Sequence, residues 1–328
     1  MKLVFFGRFA RETVGGAIAS VPDVRLCYAE DVHELEQALV DAQGLILVGP
    51  AFSAEVADVV SHARKLRWIQ TLSVGYENLQ RFGVPRGVIV TNAGDAWAIP
   101  VAEHAMGLLL ALVKRLPDAV KQQERREWAR QIMPQMSSLE GRTMVLIGLG
   151  SIGKAVAQRA KGFGMDIIAV TRTGKPSELA SRVYPFSELK FALQLADVVV
   201  IAVPSNGDTM NLLNEAALRE CKPGCFLINV ARGDIVDQDA LADALRSGHL
   251  AGAGLDVTNP EPLPKTSRLW DAPNLLVTPH IAGGGNFVAL KLAELAVENV
   301  WRQLRGQELR CVVLRGQSDS FADSGAAI

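Results

Sequence analysis

One stretch of this 328-residue chain constrains its fold more than any other: Val145-Leu-Ile-Gly148-Leu-Gly150-Ser151-Ile152-Gly153. Three glycines in G-x-G-x-x-G spacing follow directly on an apolar run, residues 143–147, and open a helical pattern over residues 151–163. Strand, tight turn and helix in that order begin a βαβ unit. The first glycine permits the turn, the second lets backbone come up against a pyrophosphate, and the third lets helix and strand pack closely. The free N–H groups at the helix start, at its positive dipole end, then hold the phosphates. Glycine is common in this chain, 29 of 328 residues, so the spacing alone says little. Its place between a strand and a helix is what makes it a dinucleotide signal.

The same alternation runs along the whole chain. Short apolar runs at residues 3–6, 24–28, 45–48, 68–72 and 88–91 are separated by segments such as 32–42 and 54–64, whose apolar residues recur at three- and four-residue steps. After the glycine motif, runs at 167–171, 198–203, 226–230, 252–257 and 275–278 continue the series. Strand–helix alternation predicts parallel sheets with helices on both faces, an α/β class of doubly wound domains. Pro100 is read as opening a long apolar helix from 101 to about 116, because its missing N–H would be unpaired in a first turn anyway. A polar stretch from 114 to 140 follows, and an amphipathic helix is expected over about 287–304. The Ser-, Asp-, Gly- and Ala-rich tail from about Gly316 is expected to be loose.

Composition narrows the classes of partner. Lys plus Arg number 34 against 35 for Asp plus Glu, so no global field draws the chain to nucleic acid or to an anionic membrane. The apolar run 106–113 is far shorter than the roughly 20 residues a bilayer span needs. The run at 3–6 is too short for a signal-peptide core, and the expectation is a soluble, cytoplasmic protein. The four cysteines, at 27, 221, 225 and 311, have no His or Cys neighbours at zinc spacing, so no metal is expected and the thiols read as small packed side chains.

The second strand of a dinucleotide domain usually ends in an Asp or Glu that bonds the adenosine ribose. Here that strand ends Val170-Thr171-Arg172-Thr173-Gly-Lys175, with no carboxylate. A carboxylate would repel a 2′-phosphate, whereas Arg172 can fork onto one while Thr171 and Thr173 donate hydroxyl bonds. NADP(H) is therefore the preferred cofactor, with NAD(H) the alternative.

Three further segments leave strand ends. Asn229-Val230-Ala231-Arg232-Gly-Asp, Gly254-Leu-Asp256-Val-Thr-Asn-Pro-Glu261-Pro-Leu-Pro, and Thr278-Pro-His280-Ile-Ala282-Gly283-Gly-Gly each follow an apolar run. Open α/β sheets bind ligands at these carboxyl ends. Taken singly, a histidine after a strand is more often structural and an arginine before Gly-Asp is often a loop ion pair. Together they match what reduction of a keto acid requires. A fixed cation is needed for the substrate carboxylate, and a proton donor for the oxygen that becomes an alkoxide. His280 is the natural donor, with Glu261 on its other ring nitrogen to fix the tautomer.

These segments resemble the D-isomer-specific 2-hydroxyacid dehydrogenases, including the spacing of 29 positions from Arg232 to Glu261, and the likeness covers nearly the whole chain. The resemblance implies that Arg232 binds the carboxylate and carbonyl, Glu261 orients His280, and His280 exchanges the proton. It implies that Thr71-Leu-Ser73-Val74-Gly75 is the substrate loop, with the N–H groups of Val74 and Gly75 on the carboxylate. Val203-Pro204 through Thr209 would lie along the cofactor, and Asp256 would sit by the nicotinamide carboxamide. Val230, Ala231, Arg232, His280, Ala282 and Gly283 complete the expected cofactor contacts. The implied architecture is a Rossmann-like cofactor domain, residues 98–285, inserted into a flavodoxin-like substrate domain, residues 1–97 plus 286–328, in a homodimer.

Thr-Leu-Ser-Val-Gly, the Thr171-Arg172-Thr173 strand end and the loop 256–264 look most like glyoxylate and hydroxypyruvate reductases. The expected reaction is thus D-stereospecific hydride transfer between NADP(H) and a small 2-keto or 2-hydroxy acid. A catalytically silent nucleotide sensor, or oxidation of a simple anion such as phosphite, are the alternatives; formate dehydrogenases resembling this family carry Gln where Glu261 stands. Gly283–Gly285 depart from the bulkier residues often found after the catalytic histidine in that family, and for Glu103-His104, in the long apolar helix, the resemblance implies structural hydrogen bonding rather than a second acid–base pair.

Overall fold

The computed structural model describes residues 1–316; the tail expected to be loose lies, beyond Gly316, outside the described residues. The described residues divide into two compact units, one of Met1–Trp97 with residues 285–316, the other of Ala98–Gly284.

The first unit is built on a six-stranded sheet of β1 (Lys2–Phe6), β2 (Arg25–Ala29), β3 (Gly44–Leu47), β4 (Trp68–Thr71), β5 (Ile89–Thr91) and, from the far end of the sequence, β13 (Val312–Arg315). Its order is β13-β5-β4-β3-β1-β2. The first five strands are parallel in the 2-1-3-4-5 order of flavodoxin-like sheets. Alternation along β1 explains the layering: Leu3 and Phe5 face the terminal helix Asn286–Leu304 through Leu292, Ala296 and Val300, while Val4 faces Leu35, Leu39, Val56 and Val60 on the other side. β13 pairs antiparallel with β5 and was not expected from the sequence, because three apolar residues and an arginine beside a polar tail carry no sign of their distant partner.

The second unit carries seven parallel strands: β6 (Thr143–Ile147), β7 (Asp166–Thr171), β8 (Arg182–Pro185), β9 (Val198–Ile201), β10 (Cys225–Asn229), β11 (Leu250–Leu255) and β12 (Leu275–Val277). The order β12-β11-β10-β9-β6-β7-β8 reverses direction between β6 and β9. That reversal is the switch point at which such sheets bind nucleotides, and the glycine motif leaves β6 there. The long apolar helix lies on this sheet. A Cβ at Gly254 would stand 3.0 Å from the Cβ of Leu108, and one at Gly252 would stand 3.3 Å from Leu112. The glycines in β11, poor strand formers by themselves, are what let the helix approach.

That helix differs from its sequence reading at both ends. It runs Ala98–Val113, so Pro100 sits within the first turn rather than opening it. It stops before residue 116 because Arg115 adopts a left-handed conformation (φ 54°), tied by its side chain to Asn274 and Asp118, and a new helix, Leu116–Glu124, begins. β8 was likewise not read from the sequence. Among the described residues no helix is long and apolar enough to cross a membrane, and no cluster of His, Cys, Asp and Glu could hold a metal. All four cysteines are free. The adjacent Cys221 and burial hold the Cys225 thiol well above the usual thiol range, which removes it from nucleophilic chemistry.

Candidate active site

The glycine loop shows why each glycine is needed. Gly148 has φ 98°, and a Cβ there would lie 2.4 Å from the carbonyl oxygen of Ala202. A Cβ at Gly153 would lie 2.1 Å from the carbonyl oxygen of Gly148. At Gly150, by contrast, a Cβ would meet nothing within 4 Å. Gly150 caps the helix Ser151–Gly162 with no side-chain hydrogen bond, so the first-turn N–H groups, Ser151 and Ile152 among them, are not covered by a capping side chain. Two glycines forced by close packing and one facing open space form a cradle that fits a pyrophosphate. At the end of β7, the Thr171 hydroxyl accepts a bond from the Gly174 N–H (3.1 Å), and Arg172 and Thr173 are exposed. Asp166 is at the opposite end of that strand.

The loop after β9 holds its own shape. Thr209, 1% exposed, donates its hydroxyl to the Pro204 carbonyl (2.7 Å) and accepts from the Asn206 N–H (2.9 Å), while Pro204 is exposed and Val203 buried. Thr209 thus shapes the loop from within it.

Arg232 leaves β10 through a turn shaped by Asn229. The Asn229 side chain, 1% exposed, accepts from the Ala231 N–H (3.0 Å) and donates to the Arg232 carbonyl (2.8 Å). The Arg232 guanidinium donates to the Ala231 carbonyl (2.7 Å) and the residue is half-buried. Val230 and Ala231 beside it are buried. Gly233 is required by contact rather than by conformation: a Cβ would fall 2.0 Å from the carbonyl carbon of Thr258 in the loop after β11. The loops of these adjacent strands are therefore pressed together.

In that second loop the Thr258 N–H donates to Glu261 Oε1 (3.1 Å), and Glu261 Oε2 stands 2.8 Å from Nδ1 of His280 in the loop after β12. With Nδ1 engaged by a carboxylate, Nε2 is the nitrogen available for proton exchange. The two side chains are 52% and 39% exposed, open enough for a substrate to reach. His280 has φ 54°, an uncommon conformation for a residue with a Cβ, and its N–H donates to the Asp256 carbonyl (2.8 Å). Asp256, expected beside a nicotinamide carboxamide, is 2% exposed and has both oxygens engaged within the protein. Oδ1 accepts from the Thr278 hydroxyl (2.6 Å) and the Ile281 N–H (2.9 Å), and Oδ2 from the Ala282 N–H (2.9 Å). Gly283 follows, half-buried.

In the other unit, the loop after β4 is anchored through its carbonyls. Ser73 O accepts from Thr71 Oγ1 (2.8 Å), Val74 O from Asn92 Nδ2 (2.8 Å) and Gly75 O from Ser73 Oγ (2.7 Å). A Cβ at Gly49 would collide with Gly75 O at 2.5 Å. Such a loop presents N–H groups rather than carbonyls to a ligand, an arrangement suited to a carboxylate. Asn92, Asn229, Thr258 and Thr278 were missed as site-shaping residues. Their signal was slight, a short polar side chain at a strand end, and it names no partner.

A phosphate-binding loop at the switch point, with arginine, glutamate and histidine on the three neighbouring strand ends of the same sheet, defines an oxidoreductase that works with a nicotinamide cofactor. Residues 106–282 match the family model described as D-isomer specific 2-hydroxyacid dehydrogenase, NAD binding domain. The chain is 36% identical over 287 residues to the glyoxylate reductase of Thermococcus onnurineus, covering 83% of this chain and 84% of that protein. Among solved structures, a D-isomer specific 2-hydroxyacid dehydrogenase family protein from Aeromonas salmonicida superposes with a TM-score of 0.83 at 30% identity, over 95% of this chain and 98% of that one. An NADPH-dependent glyoxylate/hydroxypyruvate reductase from Sinorhizobium meliloti, in complex with citrate, gives a TM-score of 0.77 at 28% identity, over 95% and 97%. The chain belongs to the D-isomer-specific 2-hydroxyacid dehydrogenase family and is an NAD(P)-dependent hydroxyacid oxidoreductase.

Proposed function

We propose that this protein reduces glyoxylate, hydroxypyruvate or a closely related small 2-keto acid to the D-2-hydroxy acid, using NADPH in preference to NADH. The observation that carries the reading is the His280–Glu261 pair at 2.8 Å, on loops leaving the sheet that also carries the glycine cradle. Gly148–Gly153 would hold the pyrophosphate, and Thr171, Arg172 and Thr173 the adenosine end; the nicotinamide supplies the hydride when bound. Arg232 holds the substrate carboxylate and polarises the carbonyl. His280 gives a proton from Nε2 to the carbonyl oxygen while Glu261 keeps the ring oriented. Ser73, Val74 and Gly75 are proposed to bind the carboxylate through backbone N–H groups. The named relatives, glyoxylate and glyoxylate/hydroxypyruvate reductases, support a small keto acid.

The test is a panel of 2-keto acids offered with NADPH and NADH, followed by loss of reduced-cofactor absorbance. Turnover is expected for glyoxylate or hydroxypyruvate, faster with NADPH. Tight NADPH binding with no turnover of any keto acid would replace this reading with that of a nucleotide sensor. Arg172→Ala is expected to weaken NADPH by about 10- to 100-fold, the worth of one or two charge-assisted hydrogen bonds, and to leave NADH nearly unchanged. Equal losses for both cofactors, measured as dissociation constants by fluorescence, would overturn the cofactor assignment.

A homodimer belongs to the same proposal. It is supported by the run of exposed apolar side chains along residues 116–136, including Leu116, Val120, Met133 and Trp128, the last 97% exposed. A solution mass of twice 35.3 kDa by light scattering is expected; a monomer at micromolar concentration would refute it.

A further inference from the structure

Behind the His280–Glu261 pair lies a second set of polar groups that the reaction as proposed does not use. His104, on the helix Ala98–Val113, places Nε2 2.9 Å from the Thr278 hydroxyl oxygen and 3.5 Å from Asp256 Oδ1. Its sequence neighbour Glu103 turns away to Arg159 (2.9 Å), so the two do not act as a pair.

Proton counting orders the bonds. Asp256 receives backbone N–H groups on both oxygens, from Ile281 and Ala282, which leaves it an acceptor. The single hydroxyl proton of Thr278 therefore goes to Asp256, at 2.6 Å. The Thr278 oxygen must then accept from His104, which fixes the His104 proton on Nε2. The chain runs His104 Nε2–H to Thr278 O–H to the Asp256 carboxylate, and it ends on the two N–H groups that immediately follow His280. The carbonyl of Asp256 takes the N–H of His280 itself. One buried carboxylate and its donors thus grip the backbone on both sides of a histidine held at φ 54°.

We infer that His104 is a positioning residue for the proton-transfer step, acting through Thr278 and Asp256 to hold the turn 278–282 and so aim the His280 ring. The inference rests on the role given to His280 above. His104 touches neither substrate nor reacting atoms. Its work is to supply the donor that completes the Thr278–Asp256 bond, without which the turn is free to relax toward an ordinary backbone conformation and carry the ring away from the substrate oxygen.

The test compares His104→Leu and Thr278→Val, which break the chain, with His104→Gln and Thr278→Ser, which keep a donor at each place. Glyoxylate reduction and amide hydrogen exchange at Ile281 and Ala282 are read together, with His280→Ala alongside. Breaking the chain is expected to lower kcat about tenfold by misplacing the proton donor, with the KM for glyoxylate and the NADPH dissociation constant within twofold of wild type. Exchange at Ile281 and Ala282 is expected to accelerate, and the Gln and Ser variants to recover most of both effects. Thr278→Val is close to isosteric and decides the matter if His104→Leu does not fold. Unchanged exchange, or faster exchange with kcat within twofold, overturns the inference while an inactive His280→Ala leaves the site reading standing. Near-normal turnover by His280→Ala overturns both.

Discussion

Replacing His280 with alanine is expected to lower kcat for keto-acid reduction by about 10²- to 10⁴-fold, the usual worth of a positioned general acid, while leaving the NADPH dissociation constant close to wild type. The split follows from where the side chain stands. Its ring meets Glu261 at 2.8 Å and is half open to solvent, so it contributes little to packing. The glycine cradle leaves a different strand, β6, and depends on backbone groups that the substitution does not touch. Without the imidazole, the alkoxide formed as hydride arrives must take its proton from water, and the barrier rises in the transition state rather than in binding. Single-turnover absorbance and fluorescence titration with NADPH separate the two quantities. Turnover within tenfold of wild type would remove His280 from the mechanism.

Arg232→Lys is expected to fail although it keeps the positive charge, with kcat/KM falling about 10²- to 10³-fold, or about 3–4 kcal/mol of transition-state stabilisation. A guanidinium presents two parallel N–H donors to a carboxylate and can reach the neighbouring carbonyl oxygen from the same plane; an ammonium is a point charge on a flexible stem. The turn around Arg232 is built for one geometry. Asn229 locks the backbone on both sides, the guanidinium is steadied on the Ala231 carbonyl at 2.7 Å, and Gly233 admits no side chain against Thr258. A lysine has no such frame. Steady-state kinetics with glyoxylate gives the answer, and full activity in the lysine variant would show that only charge mattered.

What could be read from the residues in order was whatever depends on near neighbours. The two-residue alternation of Leu3, Val4 and Phe5 and the three- and four-residue steps of the helices are local periods, and they are enough for two parallel-sheet domains. Gly148, Gly150 and Gly153 declared themselves because a turn between strand and helix has few solutions, and Arg232, Glu261 and His280 because each stands just after an apolar run. The limits were equally physical. The helix break at Arg115 rests on Asn274, 159 positions away. The strand Val312–Arg315 finds its antiparallel partner only when the chain returns to β5.

The sequence by itself thus determined the fold class, and it singled out the glycine loop and the side chains proposed to react, because those follow from local periodicity and from side-chain chemistry. The meeting of Glu261 with His280 was expected from the sequence, but only the tertiary structure decided that Nδ1 is the nitrogen taken, that Asp256 grips the turn beyond it, and that His104 reaches Thr278 across 174 positions. Those pairings depend on strand order, since β10, β11 and β12 are neighbours in the sheet although helices and loops separate them along the chain. A residue's type states which bonds it can make; the order of the strands states with whom.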